Sequence, residues 1–339
     1  MIVPIILLAV GFVLLIKGGD WFVDGATGIA RRFHLPEILI GATVVSIGTT
    51  LPEVMVSAGA ALQGSGSIAY GNAIGSIICN TSLIAALTIA IKPGAAARKS
   101  MILPVAFFFG ASVIYCLGAY VFGTFSLLMG IVLLAVFVIY MVSTVLRMKS
   151  TASVLADAET ETEMELTTGE DHVVESEEKG TKDSLLKDIL LLVIGAAVIA
   201  FGADLLVDNA IIIAEKLGVS EKVIGLTIVA LGTSLPEFVT AITSLIKGHG
   251  SLSLGNIIGA NLFNLVLVSG VAVTLNPFDV PVSGLIGGIN SSLVLDIPVM
   301  LAVMLILTVP TLIKEKLSRW QGVLLLGIYT AFCILQFTL

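Results

Sequence analysis

The chain contains 339 residues, of which 57% are hydrophobic and 12% are charged. A soluble domain carries roughly twice that charged fraction. The charges are also unevenly spread, because 11 of the 24 acidic residues lie between Asp157 and Asp183. The composition therefore excludes a soluble globular protein and indicates an integral membrane protein.

The sequence contains ten apolar runs that are long enough to cross a bilayer as helices. The first run has no basic segment before it and no convincing cleavage site, so we interpret it as a span rather than a signal peptide. The runs predict an all-α integral membrane protein with ten transmembrane helices. They lie near residues 2–30, 38–63, 68–91, 101–121, 125–147, 185–214, 222–246, 252–275, 294–313 and 319–338.

Span two contains the stretch IGTTLPE at residues 47–53. Proline lacks an amide hydrogen and its ring clashes with the carbonyl four residues earlier, so Pro52 weakens the helix at Gly48. Free carbonyls are tolerated at membrane depth where they line a cavity or hold an ion. Thr49 and Glu53 are four residues apart and share a helical face, to which they bring hydroxyl and carboxylate oxygens.

Span three contains the stretch GNAIGSIICN at residues 71–80. Asn72, Ser76 and Asn80 are spaced by four residues and form one polar stripe of a helix. For Asn80 we favour a position lining the site, because a polar stripe in a membrane must face something polar. For Asn72 and its counterpart Asn256, ion ligation and bonding across helices remain equal alternatives.

Residues 148–184 separate the fifth and sixth spans. This segment has low hydrophobicity and dense negative charge, which are typical of a disordered linker. It contains no EF-hand spacing. We therefore divide the chain into a first unit at 1–147, an acidic cytoplasmic linker at 148–184 and a second unit at 185–339.

The second unit repeats the first. Residues 17–80 align with 201–264 at an offset of 184 without a gap, and about 25 of the 64 positions are identical. The matched stretches include LGTSLPE at 231–237 and GNIIGANLFN at 255–264. Each unit has five spans, an odd number, so the second enters the membrane from the opposite side. This predicts two inverted five-helix repeats, an architecture of secondary transporters whose sites lie near the midplane.

Two pairs of aspartates occupy equivalent places in spans one and six. They are Asp20 with Asp24, and Asp204 with Asp208. We expect these side chains to anchor the ends of their spans, with Asp20 bonding to Lys17.

Lysine and arginine are concentrated in the loops on the side opposite the N-terminus. Positively charged loops stay in the cytoplasm. We therefore expect a multi-pass protein of the cell membrane with both termini outside and the 148–184 loop in the cytoplasm.

The oxygen-rich motifs resemble the two α-repeats of the cation/calcium antiporter superfamily, in particular its prokaryotic sodium/calcium exchangers. The resemblance rests on GATVVSIGTTLPE with GNAIGSIICN and on GLTIVALGTSLPE with GNIIGANLFN. It implies a cluster of cation sites between spans two, three, seven and eight, for which Ca²⁺ and Na⁺ compete. The implied ligands are the carbonyls of Ser46 and Ala230 and the side chains of Thr49, Thr50, Glu53, Ser76, Asn80, Thr233, Ser234, Glu237 and Asn264.

Two positions depart from the family pattern. Some relatives carry aspartate where this chain has Asn264, and serine is common where it has Ala260. The second change leaves a sodium site one hydroxyl short. Proton/calcium exchangers of the superfamily show glutamate where this chain has Gly75 and Gly259, which disfavours proton coupling.

The sequence therefore predicts a secondary antiporter that exchanges Na⁺ for Ca²⁺ by alternating access. Ca²⁺/H⁺ and K⁺-dependent Na⁺/Ca²⁺ antiport are the alternatives, and a cation channel is disfavoured because filters usually come from rings of subunits. We expect no enzymatic activity, because no span contains a histidine or a nucleophile–base pair. We expect no cofactor, no nucleic acid and no obligate protein partner, and we expect the bilayer and the transported ions as the partners.

Overall fold

A computed structural model describes residues 2–166, 178–217, 232–282 and 284–338. Side chains are described for residues 2–148, 185–217, 232–282 and 284–336. In these residues the longer helices, in chain order, are α1 (Ile2–Arg32), α2 (Glu37–Leu62), α3 (Gly66–Ile91), α4 (Arg98–Phe122), α5 (Leu127–Leu166), α6 (Glu178–Lys216), α7 (Leu235–Ile246), α8 (Gly250–Leu275), α9 (Ser292–Lys314) and α10 (Arg319–Thr338).

Eight of these helices are long and apolar enough to cross a membrane: α1 to α6, α8 and α9. Their bounds agree with the predicted spans to within a few residues, apart from the extensions of α5 and α6 into the linker. α7 is a shorter apolar helix of 12 residues, and the N-terminal part of the predicted span 222–246 lies mostly outside the described residues. The protein is thus a mostly helical membrane protein.

The linker is more helical than its charge pattern predicts. α5 continues to Leu166 and α6 begins at Glu178, so the disorder predicted for 148–184 does not cover its whole length. Residues 148–166 contain no proline or glycine and include alanine, leucine, methionine and glutamate, which favour helices. Residues 167–177 lie outside the described part of the chain.

α1 and α6 pack against each other as an antiparallel pair through glycines. Gly11 approaches Gly202, and Gly18 approaches Gly195, at distances that leave no room for a Cβ atom. Small residues allow close helix contact in membranes, where van der Waals packing replaces the hydrophobic effect. The offset of 184 maps Gly11 to Gly195 and Gly18 to Gly202. The repeat therefore relates the Gly11–Gly202 contact to the Gly18–Gly195 contact.

The remaining helices form the body of the protein. α8 is the most deeply buried of the candidate spans and α3 is the next. Aromatic rings from several helices meet beside them, with Phe137 of α5 packing edge-on against Phe263 of α8 at 5.2 Å between ring centroids. Phe108, Tyr115 and Tyr140 belong to the same buried cluster. This cluster holds α3 and α8 in fixed positions.

Backbone pairing between short loops brings the two halves of the chain into contact. The strand Thr124–Phe125 pairs antiparallel with Phe278–Asp279, which places the α4–α5 loop beside the α8–α9 loop. An isolated bridge joins Ala95 and Lys316, which places the α3–α4 loop beside the α9–α10 loop. The offset of 184 relates Ala95 to Asp279. A hairpin of Leu285–Ile286 with Ile289–Asn290 follows the second strand.

The partner expected for Asp20 is wrong. In the structure the ammonium group of Lys247, in the loop between α7 and α8, lies 3.4 Å from Oδ1 of Asp20 and 2.7 Å from Oδ1 of Asp24. Lys17 is near in sequence, but this pairing depends on how α1 packs against α7. The predicted anchoring role of the two aspartates agrees with these ion pairs.

The close contact of α1 with α6 makes a testable prediction. A Cβ atom at Gly195 would lie 2.5 Å from the backbone nitrogen of Phe22, whereas one at Gly110 would meet nothing within 4 Å. Gly195→Ala should therefore destabilise the protein by about 1–3 kcal/mol, as overpacking usually does. Thermal unfolding in detergent measures the effect. Gly110→Ala is the control, and equal midpoints for the two variants would contradict this account of the packing.

Candidate functional site

α2 brings the first set of predicted ligands into the interior. The helix is irregular at Gly41–Val45, where it has π-helical geometry, and it is regular from Ser46 to Leu62 with Pro52 inside. Single π-helical turns occur frequently at functional sites. Thr49, Thr50 and Glu53 are all buried. The interruption that Pro52 predicts at Gly48 is wrong for this half, since the helix continues from Ser46 to Leu62 and the irregular turn lies before it at Gly41–Val45.

The second half shows the interruption more clearly. Residues 233 and 234 form a turn, and α7 begins at Leu235 with Pro236 in its first turn. Proline fits there because an amide in the first turn has no partner within the helix. Ser234 and Glu237 are buried on the same side of the break. The turn before α7 agrees with the interruption predicted beside the glutamate, while most of the span that precedes it lies outside the described residues.

Glu53 and Glu237 are the centre of the site. Neither side chain has any exposed surface, and their carboxyl groups lie close enough to interact directly. Both oxygens of Glu53 and Oε2 of Glu237 have no hydrogen-bond partner among the described residues. Thr50 crosses from α2 to Glu237, with its hydroxyl 3.5 Å from Oε1. The two halves therefore contribute one carboxylate each to a single buried place.

Asn80 in α3 and Asn264 in α8 are the next predicted ligands of this site. Each begins a π-helical segment, Asn80–Ala85 in α3 and Asn264–Val268 in α8. The first segment packs against α7 and the second against α2, so each asparagine segment meets the glutamate helix of the other half. Both side chains are fully buried, and their amide groups have no partner among the described residues. A buried amide without a partner costs about 1–3 kcal/mol, which a bound ion can offset.

Asn256 and Asn72 make contacts across helices, which the sequence left as the alternative to ion ligation. Oδ1 of Asn256 lies 3.3 Å from the hydroxyl groups of both Ser46 and Thr49. The amide of Asn72 donates to the backbone carbonyl of Glu53 at 3.1 Å. Asn256 therefore positions two predicted ligands of the other half, and Asn72 holds the backbone of the glutamate itself. The shared GN dipeptide was the sequence signal for both.

Two further predicted ligands lie close in the chain to residues already described. Ser76 is buried in α3 one turn before Asn80, and Thr233 is half-buried beside Ser234. Ala260 is fully buried in α8 and offers no side-chain oxygen. Ala230 lies outside the described residues, so its predicted carbonyl ligand stays a prediction.

The chemistry of the site is that of hard oxygen donors. Carboxylates, hydroxyl groups and amide carbonyls suit Ca²⁺ and Na⁺. Among the described residues, no group of three or more His, Cys, Asp or Glu side chains is placed to hold a metal ion. With two carboxylates among neutral oxygens, the site is suited to a cation that binds and leaves. A helical membrane protein with such a site belongs to the class of cation transporters.

Comparison with known proteins agrees with this class. The family model for "Sodium/calcium exchanger protein" matches residues 3–146 and 187–338. The chain belongs to this family of transmembrane antiporters, within the cation/calcium antiporter superfamily.

Relatives of similar length and solved structures give the same result. The sodium/calcium exchanger MaX1 of Methanosarcina acetivorans is 31% identical, and the alignment covers 99% of each chain. The putative antiporter CaxA of Alkalimonas amylolytica is 34% identical over 100% of each chain. A structure of the sodium–calcium exchanger NCX_Mj, soaked with 2.5 mM Na⁺ and 0.1 mM Sr²⁺, superimposes with a TM-score of 0.76. Its identity is 33%, and 97% of each chain is covered.

Removing either central carboxylate should abolish cation binding. Glu53→Gln and Glu237→Gln each remove one of two negative charges, and we expect Ca²⁺ affinity to fall by at least about tenfold, or 1.4 kcal/mol. Equilibrium binding of Ca²⁺ to protein in detergent measures this. Glu315→Gln, in the exposed loop after α9, is the control that should bind normally. Normal binding by Glu53→Gln would exclude Glu53 from the site.

Proposed function

We propose that this protein is a secondary antiporter that exchanges Na⁺ for Ca²⁺ across the cell membrane at a single buried site. The observation that carries the proposal is the meeting of Glu53 from α2 with Glu237 from α7. Membership of the sodium/calcium exchanger family supports the choice of ions. The proposed ligands are those of the sequence prediction: Ser46, Thr49, Thr50, Glu53, Ser76, Asn80, Ala230, Thr233, Ser234, Glu237 and Asn264.

We propose that the two halves are inverted repeats of five spans each. The antiparallel packing of α1 with α6 supports this, because these helices are equivalent in the sequence repeat and run in opposite directions. The loop pairs support it too, since each joins a loop of one half to a loop of the other, and the offset of 184 relates Ala95 of one pair to Asp279 of the other. Two such halves can open a shared site to either side of the membrane in turn.

The charges of the site suggest how exchange is coupled. The two glutamates supply a charge of −2, which one Ca²⁺ or two Na⁺ would balance. A third Na⁺ would leave one positive charge on the loaded protein and would make exchange electrogenic. Each charge moved across the membrane is worth about 2.3 kcal/mol per 100 mV. With three Na⁺ entering for each Ca²⁺, an inward sodium gradient would drive calcium out.

Proton coupling is the second candidate for this site. Two carboxyl groups that lie in direct contact can share a proton when no cation separates them. The glycines at positions 75 and 259, where proton-coupled relatives show glutamate, argue for sodium. K⁺-dependent exchange is disfavoured by the neutral Asn264, and a channel is disfavoured by a site built within one chain.

Calcium uptake into proteoliposomes tests the proposal. Vesicles loaded with Na⁺ and diluted into Na⁺-free buffer should take up ⁴⁵Ca²⁺ without any requirement for K⁺. A parallel set replaces the sodium gradient with a pH gradient, and Glu53→Gln protein is the inactive control. Uptake driven by the pH gradient alone would overturn sodium coupling and would assign the coupling to protons.

The two departures from the family pattern can be tested separately. Asn264→Asp adds a negative charge beside the glutamates, so the half-saturating Ca²⁺ concentration should fall by several-fold or the coupling to Na⁺ should change. Ala260→Ser adds a hydroxyl group and should leave the Ca²⁺ concentration dependence nearly unchanged while it raises Na⁺ affinity. Competition of Na⁺ against ⁴⁵Ca²⁺ uptake measures both effects. If both variants compete like the wild type, positions 260 and 264 lie outside the site.

A further inference from the structure

The Lys247 ion pairs connect α1 to the loop that follows α7. The ammonium group lies 2.7 Å from Oδ1 of Asp24 and 3.4 Å from Oδ1 of Asp20. It also donates to the backbone carbonyl of Asp20 at 3.0 Å. Lys247 is only partly exposed, with 24% of its side-chain surface accessible, whereas the accessible fractions of Asp20 and Asp24 are 37% and 54%. One lysine therefore neutralises part of the charge of two aspartates and joins α1 to the turn that follows α7.

The same end of α1 packs tightly against α7. A Cβ atom at Gly19 would lie 2.8 Å from both the hydroxyl of Thr243 and Cγ1 of Val239. Val239, Thr243 and Lys247 are spaced by four residues along one face of α7 and its following turn. The cleft between α1 and α7 is thus closed on the side of Lys247.

The equivalent face of the other half lacks a matching contact among the described residues. The offset of 184 maps Val239 to Met55, Thr243 to Gly59 and Lys247 to Gln63. Met55 is 72% exposed, whereas Val239 is half-buried. A Cβ atom at Gly59 would meet no described atom within 4 Å. The face of α2 that corresponds to the α7 contact is therefore uncovered.

The two clefts also differ in charge. Asp204 and Asp208 of α6 are equivalent to Asp20 and Asp24, and both are exposed. The position that corresponds to Lys247 is the neutral Gln63, which cannot form an ion pair with them. Closing the second cleft therefore brings no gain equivalent to the Lys247 ion pairs.

We propose that Lys247 is a positioning residue that favours the state closed on its own side of the membrane. The asymmetry between Lys247 and Gln63 then sets the relative affinities of the two faces for transported cations. The inference rests on the proposed exchange function and on the predicted orientation, which places Lys247 on the cytoplasmic side. It concerns the balance between two states, and the ligands of the site are the same in both.

The kinetic consequence is specific to one face. A ligand that reaches a site only in one state has an apparent affinity reduced by the fraction of that state. Partly exposed ion pairs are worth at most about 1 kcal/mol, so Lys247→Gln should lower the cytoplasmic half-saturating Ca²⁺ concentration by about two- to fivefold. The external half-saturating concentration should not fall. A variant that is merely less stable would lose maximal rate on both faces.

Gln63→Lys is the matched test on the opposite side. It supplies Asp204 and Asp208 with a cation when the second cleft closes, so it should shift both half-saturating concentrations in the same direction as Lys247→Gln. Lys247→Arg should behave as the wild type, because it retains the charge. Lys314→Gln, which removes a lysine from the same predicted face, should also leave both values unchanged.

Thiol accessibility tests the proposal without transport. In a background with Cys79, Cys116 and Cys333 replaced by serine, and shown to fold by size exclusion, Met55→Cys and Val239→Cys are labelled with a membrane-impermeant maleimide from either side. With Lys247 present, Met55→Cys should react from outside and Val239→Cys should react slowly. Lys247→Gln should raise the rate at position 239 and lower it at position 55.

The labelling results test the role of Lys247 separately from the proposed exchange function. Labelling that shifts as described supports the role of Lys247 even if the coupling ion proves to be H⁺. Labelling rates that are unchanged in both Lys247→Gln and Gln63→Lys would overturn it, whatever the ions exchanged. If Lys247→Gln fails to fold, Gln63→Lys decides the question independently.

Discussion

The structure depends on the burial of two carboxylates, Glu53 and Glu237, inside a membrane protein. Charged side chains within spans cost at least about 2.5–3.5 kcal/mol each and persist where they serve a function. Here both are fully buried, and three of their four oxygens have no hydrogen-bond partner in the described part of the chain. We propose that a cation is the partner of this pair. The site is then suited to ligands of positive charge.

The fold supports this pair by holding oxygen-bearing side chains around it. Asn256 fixes the hydroxyl groups of Ser46 and Thr49, and Asn72 fixes the carbonyl of Glu53. The aromatic cluster around Phe263 keeps α8 in place. By contrast, α1 and α6 pack mainly on each other through glycines and carry long exposed apolar faces. The site is rigidly supported on one side and bordered by a separate helix pair on the other.

Much of this arrangement could be predicted from the sequence. The apolar runs predicted ten spans, and eight of them match described helices that are long and apolar enough to cross a membrane, because hydropathy over 20 residues dominates local preferences in a bilayer. The repeated TLPE and SLPE motifs led to Glu53 and Glu237, because a carboxylate that recurs at membrane depth in both halves indicates a functional site. The structure packs the segments that begin at Asn80 and Asn264 against the glutamate helices of the opposite halves.

Other features lay beyond sequence reasoning. The partner of Asp20 is Lys247, 227 residues away, and nothing in the local pattern around Lys17 could reveal it. The irregular turns at Gly41–Val45 and Asn80–Ala85 contain several residues of low helix propensity, such as glycine, threonine, valine and asparagine, but propensity alone does not specify π-helical geometry. The acidic segment after residue 147 was interpreted by its charge, although residues 148–166 contain no glycine or proline and α5 continues through them. Each of these features depends on a tertiary contact or on a competing local preference.

The central claim is that one cation lies between Glu53 and Glu237. Anomalous diffraction from crystals soaked in Sr²⁺, a heavier analogue of Ca²⁺, tests it most directly. We expect an anomalous peak within coordination distance of both carboxylates, and we expect it to disappear in crystals of Glu237→Gln protein. A peak elsewhere in the protein, with no density between the two glutamates, would contradict it.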